Sequence, residues 1–500
     1  MLAVAHVLGL LLAFFGATYV LPLLCSVFSG DGLALYFVVG AAASTGTGLL
    51  TVAATSNWKR ELKPRDGFLL VTLVWITTSA LATIPLVMAL PHLTFSRAYF
   101  ETMSGLTSTG STVLVGLDNL APSLNLWRHE LQWVGGLGII VMALAVLPLL
   151  GVGGLQLYKG ETPGPVKDDR LAPRIAETGR SIWLVYMLIT AVGIVALRVC
   201  GMSWFDAICH AFSAVGLGGF STHDASVGYF NSAAIEFVLM GLMLVASLNF
   251  ARHFVALRRL SLEPYSRDPE FRAVMTLLGV SIVVVAMLLW SHETYPSFFV
   301  SLRHAAFNVV SMATTTGLVT ENVDAWPVFA PFWMLFLSCI ICSTGSAGGG
   351  IKMFRALLLA KQAGHELKLL VHPSAVAPVR VGGRPIPDRV ASAVLGFIFM
   401  YFMTAALLTF ALLLTGLDLP ASVGAAIASI NNTAHGLHSD GPASNLHALT
   451  GAQTWICTGA MLLGRLEIFS VIVLFTPAFW RKLISHQGCA RLGVPLTRSI

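Results

Sequence analysis

The chain alternates long apolar segments with short stretches rich in polar and basic residues. Many apolar segments are long enough to cross a bilayer as a helix, which takes about 20 residues. This pattern predicts an all-α, polytopic membrane protein. The predicted spans cover residues 2–28, 33–55, 68–90, 127–150, 181–201, 232–254, 271–291, 328–354, 390–415 and 453–480.

Four segments between these spans are apolar but too short to cross, and each ends in small polar residues and glycine. They read LTFSRAYFETMSGLTSTGSTVL, MSWFDAICHAFSAVGLGGFST, YPSFFVSLRHAAFNVVSMATTTGLVTEN and LDLPASVGAAIASINNTAHGLHSDG. Apolar stretches of about 10–14 residues are candidates for re-entrant helices. Because each has a full span on both sides, we predict four repeats of span, re-entrant helix, glycine turn and span. The key glycines would be Gly110, Gly219, Gly317 and Gly436.

The first two spans lie outside this repeat and predict an added N-terminal two-helix hairpin. The predicted divisions are the hairpin (1–60), four pore repeats (61–165, 166–262, 263–375 and 376–485) and a cytoplasmic tail (486–500). The third repeat would also carry an intramembrane loop.

The four glycine turns would bring non-helical backbone to membrane depth, which is tolerated only where it is buried in protein or lines water. Four such turns around one axis would form a ring of carbonyl oxygens that replaces the hydration shell of an alkali cation. Glycine permits the backbone angles this requires, and each short helix directs its partly negative C-terminus at the cation. The competing interpretation is four ordinary outer loops with helix caps.

Composition and charge favour the same interpretation. The chain is 56% hydrophobic and 11% charged, whereas a soluble domain carries about 25% charged residues. Most of its 30 Lys and Arg residues fall in the tail and in the loops 56–67, 151–180, 252–272 and 355–389. Such loops lie in the cytoplasm, so both termini are predicted to be cytoplasmic. The charge thus reflects membrane topology rather than nucleic-acid binding. The outer side is nearly free of basic residues, which suits a cation entrance.

Two features predict a gate. The segment STGSAGGGIK (343–352) interrupts the eighth span with small residues that do not hold a straight helix well. It would be an intramembrane loop below the turns, with a thin, closely packed helix as the alternative. Arg465 lies deep in the last span, where a charge is costly and usually functional. It would face the pore or bind loop carbonyls, including those of Asn431 or Asn432; the alternative is an ion pair with Glu467.

Two other functions remain open at this stage. A secondary transporter coupling potassium to proton or sodium movement would carry intramembrane carboxylates, and Glu467 is the only obvious one. An enzyme would need converging nucleophiles or metal ligands, which the sequence does not show, so the chain is predicted not to be an enzyme. Asp224 and Glu321, just outside the second and third turns, would concentrate cations at the mouth.

Several segments resemble a known family. Residues 133–183 (WVGGLGIIVMALAVLPLLGVGGLQLYKGETPGPVKDDRLAPRIAETGRSIW), GLGGFSTHDASVGYF, CSTGSAGGGIK and GRLEIF resemble the TrkH membrane subunits of the Trk/Ktr/HKT potassium transport superfamily. The resemblance implies four pseudo-repeats, each like one potassium-channel subunit, around a single pore. It also implies potassium as the substrate, no cofactor in this chain, a homodimer in the bacterial inner membrane and a TrkA-like nucleotide-binding regulatory subunit in the cytoplasm.

The resemblance also assigns the site residues. The potassium filter would comprise Ser108, Thr109, Gly110, Leu217, Gly218, Gly219, Thr315, Thr316, Gly317, Ala434, His435 and Gly436. The gate would comprise Ser343, Thr344, Gly345, Ser346, Ala347, Gly348, Gly349, Gly350, Lys352 and Arg465. His435 departs from the family pattern, which more often has a small residue or proline there.

Overall fold

The chain is predominantly helical. The computed structural model describes residues 1–58, 62–150, 171–374, 378–434 and 448–480. Within these ranges the strands are β1 (Arg380–Val381) and β2 (Arg384–Pro385), which form a short antiparallel hairpin. The prediction of a helical fold is confirmed.

The helices fall into long apolar segments and shorter ones. In the first half they are α1 (Leu2–Phe15), α2 (Val20–Ser29), α3 (Ala34–Ala54), α4 (Pro64–Ala82), α5 (Ile84–Ala89), α6 (Phe95–Leu106), α7 (Pro122–Leu150), α8 (Leu171–Val199), α9 (Trp204–Gly216) and α10 (Ala233–Ser247). The second half has α11 (Phe250–Arg259), α12 (Glu263–Ser266), α13 (Pro269–Ser291), α14 (Phe298–Ala313), α15 (Phe329–Ile340), α16 (Met353–Val371), α17 (Asp388–Leu414), α18 (Leu419–Asn431), α19 (Gly451–Arg465) and α20 (Phe469–Ile472).

Several of these segments are long and apolar enough to cross a membrane. Among the described residues six pass this test without a sharp bend: Leu2–Ser29, Ala34–Ala54, Arg65–Ala89, Gly179–Val199, Pro269–Ser291 and Asp388–Leu414. Two more pass as bent pairs, α10 with α11 at 103° and α19 with Phe469–Phe475 at 104°. This is the pattern of a multi-pass membrane protein.

The prediction of a continuous span over 232–254 is wrong. Helix α10 ends at Ser247 because Leu248 takes an extended conformation (φ −94°, ψ 167°). The Asn249 side chain then accepts a hydrogen bond from the Ala251 amide at 2.9 Å and starts α11 in a new direction.

Two other predicted spans are also broken. The span 453–480 bends because Glu467 and Ile468 both have positive φ, which ends α19. The span 328–354 stops at Ile340, and the chain becomes helical again only at Met353. The small residues of 343–352 had predicted this last interruption.

Four short helices, α6, α9, α14 and α18, pack in a cycle. Each contacts the long helices that flank it in sequence, and each also contacts the helix that follows the previous short helix. These extra contacts join α9 to α7, α14 to α10, α18 to α15 and α6 to α19. Helix α6 lies near the start of the chain and α19 near its end, so the contact between them closes the cycle.

The N-terminal hairpin packs through backbone contact between α1 and α3. A Cβ atom on Gly48 of α3 would lie 2.4 Å from the Ala13 nitrogen and 2.6 Å from the Gly9 carbonyl oxygen in α1. Small residues allow apolar helices to approach this closely. Gly46, two residues away on α3, has no such neighbour within 4 Å.

We therefore expect Gly48→Ala to destabilise the protein, because an added methyl group overpacks this contact at a cost of roughly 1–3 kcal/mol. Gly46→Ala is the matched control and should leave stability unchanged or slightly raised. Thermal unfolding of the purified protein in detergent measures both. Equal unfolding temperatures for the two variants would contradict the packing described here.

Candidate functional site

The four short helices end in the same backbone turn. Just beyond each helix lies a residue with left-handed φ: Ser108 (52°), Leu217 (53°), Thr315 (64°) and Asn432 (53°). The amide of the next residue donates to the carbonyl five residues earlier, in the pairs Thr109–Ser104 (2.8 Å), Gly218–Ser213 (2.8 Å), Thr316–Ser311 (2.9 Å) and Thr433–Ala428 (3.0 Å). This hydrogen bond is typical of a helix C-terminus, and it gives the four turns one common register.

The next position in that register holds glycine in three turns. Gly110, Gly219 and Gly317 have φ of 81–82°, which glycine adopts without strain. In the fourth turn the position belongs to Ala434, whereas the sequence analysis had placed Gly436 there. Gly436 and His435 lie outside the described residues, so their predicted roles stay predictions.

We call the four turns loop one (107–112), loop two (217–222), loop three (314–319) and loop four (432–434), and together the ring. Consecutive loops touch through their main chains. A Cβ atom on Gly110 would lie 1.6 Å from the Gly218 oxygen, and one on Gly219 would lie 2.0 Å from the Thr316 oxygen. A Cβ atom on Gly317 would lie 2.8 Å from the Ala434 nitrogen. The loops therefore follow one another in chain order.

Side chains close the ring between loop four and loop one. The Asn432 amide nitrogen donates to the Thr109 hydroxyl at 3.0 Å. The Ser111 hydroxyl donates to the Ala434 carbonyl at 3.1 Å. Residues more than 300 positions apart are thus held in direct contact.

The described residues of the predicted filter all lie in this ring. Those brought together are Ser108, Thr109, Gly110, Leu217, Gly218, Gly219, Thr315, Thr316, Gly317 and Ala434. A cavity of about 10 Å³ lies against the ring, lined among others by Gly110, Gly219 and Gly317. That volume corresponds to about one water-sized sphere. The surroundings supply carbonyl and hydroxyl oxygens, the ligands that alkali cations use in proteins.

A buried ion pair supports loop one. The Glu101 carboxylate accepts from the Arg128 guanidinium at 2.8 Å, from the Thr112 hydroxyl at 2.9 Å and from the Val113 amide at 3.0 Å. The Arg128 guanidinium also lies over the Phe220 ring, 4.2 Å from its centroid. The sequence analysis gave Arg128 no role in the site. The signal that could have revealed this pair is Glu101, a carboxylate inside an otherwise apolar re-entrant segment.

Gln132 fixes loop two in a similar way. Its amide nitrogen donates to the Gly218 carbonyl at 2.7 Å, and its oxygen accepts from the Phe220 amide at 3.3 Å. Sequence analysis missed this residue because a single glutamine in a helix carries no sign of its partner.

The predicted gate segment lies directly against loops three and four. The Gly349 amide donates to the Thr315 hydroxyl at 3.2 Å, and a Cβ atom on Gly349 would lie 1.9 Å from the Asn431 oxygen. At its start, the Ser343 amide donates to the Ser247 carbonyl at 2.9 Å. The segment is non-helical from Ser343 to Lys352, and its predicted gate residues are contiguous there.

Arg465 joins this segment to loop one. Its guanidinium donates to the carbonyls of Ala347 and Gly135, both at 2.8 Å, and to the Ser108 hydroxyl at 3.1 Å. The side chain is buried. Three oxygen acceptors therefore compensate a charge inside the protein.

These contacts decide between the alternatives for Arg465. It is not bonded to the carbonyls of Asn431 or Asn432 or to Glu467 in the described structure. Glu467 instead pairs with Arg355 at 2.6 Å. A continuous helix would not have paired Arg465 with Glu467 either, because residues i and i+2 do not share a helix face. Lys352 is buried near this pair.

His223 ties together the segments that follow loops one and two. Its Nδ1 pairs with Asp118, and its Nε2 lies 3.6 Å from Asp206 Oδ1. Partial burial alone would lower the pKa of His223, but the two carboxylates outweigh it and raise that pKa above its ordinary value.

The two carboxylates predicted to attract cations differ in their surroundings. Asp224 Oδ1 accepts from the Leu117 amide at 3.1 Å, so Asp224 helps to hold together the segments that follow loops one and two. Glu321 is exposed beyond loop three, and its predicted role stays a prediction.

The chain is similar to potassium transport proteins along almost its whole length. Residues 37–482 match the TrkH family model, described as cation transport protein. The Trk system potassium uptake protein TrkH of Salmonella typhimurium is 43% identical over 481 residues, which cover 96% of this chain and 99% of that protein. TrkH of Halomonas elongata is 44% identical over 483 residues with the same coverage. The crystal structure of the potassium transporter TrkH from Vibrio parahaemolyticus has a TM-score of 0.89 and 39% identity, covering 96% of this chain and 99% of that one.

We expect Glu101→Ala to lower stability strongly, because it leaves the Arg128 guanidinium buried without its carboxylate, at a cost of about 3–5 kcal/mol. Glu366→Ala is the control, since that side chain is 60% exposed. Thermal unfolding in detergent compares the variants. An unfolding temperature for Glu101→Ala as high as that of the control would show that the pair does not support loop one.

Proposed function

Because the chain belongs to the TrkH family of cation transport proteins, we propose that it takes up potassium through a channel-like selectivity filter. The named relatives are Trk system potassium uptake proteins. These relatives are transport proteins. That this chain is not an enzyme and needs no cofactor stays a prediction. The ring is the proposed filter.

The observation that carries this proposal is the closure of the ring. Four turns in one register meet: three junctions use backbone atoms, such as Gly110 against Gly218, and side chains of Asn432 and Ser111 close the fourth. A potassium filter coordinates the dehydrated ion with carbonyl oxygens. The short helices end at the ring, so their partly negative C-termini face the ion. The four loops then act as pore loops of four pseudo-repeats around one pore.

The segment 343–352 is the proposed gate. It lies against Thr315 and Asn431 at the base of loops three and four, where it would obstruct the path of the ion. Arg465 holds it through the Ala347 carbonyl and adds a positive charge close to loop one. Opening then requires the segment to leave this position.

The proposal includes partners in a Trk system. We infer a homodimer in the bacterial inner membrane and a TrkA-like nucleotide-binding subunit bound at the cytoplasmic side. With both termini in the cytoplasm, the basic segment 355–389, which includes most of α16, faces that subunit. Nucleotide binding would move the gate through the partner.

A coupled transporter is the second candidate. The sequence analysis named Glu467 as the only obvious intramembrane carboxylate; in the described structure Glu101 and Glu130 are also buried. One oxygen of Glu130 has no hydrogen-bond partner among the described residues. Intramembrane carboxylates serve as coupling sites in carriers. Single-channel currents far above the turnover of a carrier would favour the channel.

Gly317→Ser tests the filter. A Cβ atom there would lie 2.4 Å from the Ala434 Cβ, and φ is +81°. The distorted ring should lose its preference for potassium over sodium by roughly tenfold, equivalent to about 1.4 kcal/mol. Reversal potentials in mixed potassium and sodium measure this. Gly279→Ser is the control, because a Cβ atom there meets nothing within 4 Å. Unchanged selectivity in a folded Gly317→Ser protein would refute the filter.

Arg465→Ala should raise potassium flux in proteoliposomes, because it frees the Ala347 carbonyl and removes a charge that repels cations. Arg465→Lys keeps the charge but not the two-pronged donor. If potassium flux rises in both variants, Arg465 acts by anchoring the segment 343–352. If it rises in the alanine variant alone, Arg465 acts by repelling cations. Arg198→Ala is the control, since the contacts of Arg198 in the described part of the chain are with the nearby Met202 carbonyl and the Trp204 ring. Wild-type flux in both Arg465 variants would remove Arg465 from the gate.

A further inference from the structure

We propose that Ala434 determines how fast ions pass the ring, because its methyl group occupies the centre that the three glycines leave open. The inference rests on the proposed function and adds one residue to it. In the sequence analysis Ala434 was one of several filter residues, and Gly436 was the fourth glycine.

The first argument is register. The amide one position before Ala434 donates to the Ala428 carbonyl, as the equivalent amides of the other loops donate to Ser104, Ser213 and Ser311. Counting from this bond, Ala434 corresponds to Gly110, Gly219 and Gly317. Loop four is therefore the one loop in the ring with a side chain at this position.

The second argument is the position of the methyl group. Cβ atoms built on Gly317, Gly219 and Gly110 would lie 2.4, 2.8 and 3.0 Å from the Ala434 Cβ. Loops one and three flank loop four, whereas loop two faces it across the ring. A methyl group close to all three glycines must therefore lie near the axis.

The third argument is that neighbouring atoms hold the alanine there. The Ser111 hydroxyl donates to the Ala434 carbonyl at 3.1 Å, and Gly317 packs against the Ala434 nitrogen. Asn432 is fixed through its side chain to the Thr109 hydroxyl and the Met461 carbonyl. The methyl group cannot move off the axis unless loop four shifts against these contacts.

The chemical consequence is a barrier. A methyl group offers a cation no oxygen ligand and excludes it from the plane of the glycines. An ion passes only when loop four moves outward. Removing the methyl group should lower this barrier, and a larger apolar side chain should raise it.

The test compares Ala434→Gly, Ala434→Val and wild type as full-length protein in liposomes, with potassium influx as the readout. We expect Ala434→Gly to increase the initial rate on the order of tenfold and Ala434→Val to reduce it. Ala426→Gly is the control, and it lies in α18, the helix that leads into loop four. It lies in a buried apolar cluster with Phe100 and Met103, and its influx should equal that of wild type.

A second readout does not depend on transport. Without the methyl group, potassium should bind the ring more tightly, so KCl should raise the unfolding temperature of Ala434→Gly more than that of wild type, relative to choline chloride. Wild-type rates in folded Ala434→Gly and Ala434→Val proteins would overturn the role of Ala434. Absence of influx in wild type would count against the proposed function, and the unfolding temperatures would then decide the role of Ala434.

Discussion

Main-chain contact at three of the four junctions between the turns is the constraint on which this structure depends. A Cβ atom on Gly110 would overlap the Gly218 carbonyl oxygen, and one on Gly219 would overlap that of Thr316. Such contact excludes side chains, so it requires glycine and a left-handed residue shortly before it. It also requires four helices to end at one depth in one register. The hydrogen bond that closes each helix end provides that register.

The charges around the ring are buried and compensated. A lone charge inside a membrane protein is costly, so such residues pair with one another or with backbone carbonyls. Glu101 and Arg128 form an ion pair behind loop one, and Glu467 and Arg355 form another near the end of α19. Among the described residues, the hydrogen-bond acceptors of Arg465 are carbonyl and hydroxyl oxygens rather than carboxylates. Its position is therefore sensitive to any movement of the backbone that supplies these acceptors.

Hydrogen bonds join the ring to the segment 343–352, both directly and through Arg465. The Thr315 hydroxyl accepts from the Gly349 amide, and Ser108 and Ala347 both bond to Arg465. A displacement of the segment would break its bond to Thr315 of loop three and its bond to Arg465, which itself bonds loop one. The ring and the segment 343–352 are thus coupled by direct contacts although they are far apart in sequence. This coupling is the physical basis for the proposal that 343–352 is a gate.

The sequence by itself determined the class of the protein, because the length and apolar character of a segment decide whether it can cross a bilayer. It also identified the glycine turns after α6, α9 and α14, since glycine marks backbone that other residues avoid. Only the tertiary structure decided which residue of loop four joins the ring, how α10 bends, and what Arg465 bonds. Ala434 takes the place predicted for Gly436 because Asn432 adopts the left-handed turn two residues earlier than a count to the nearest glycine assumes. The spacing of residues along a chain reports local conformation. The partners of Glu101, Gln132 and Arg465 depend instead on how separate helices pack, and no local sequence pattern encodes this packing.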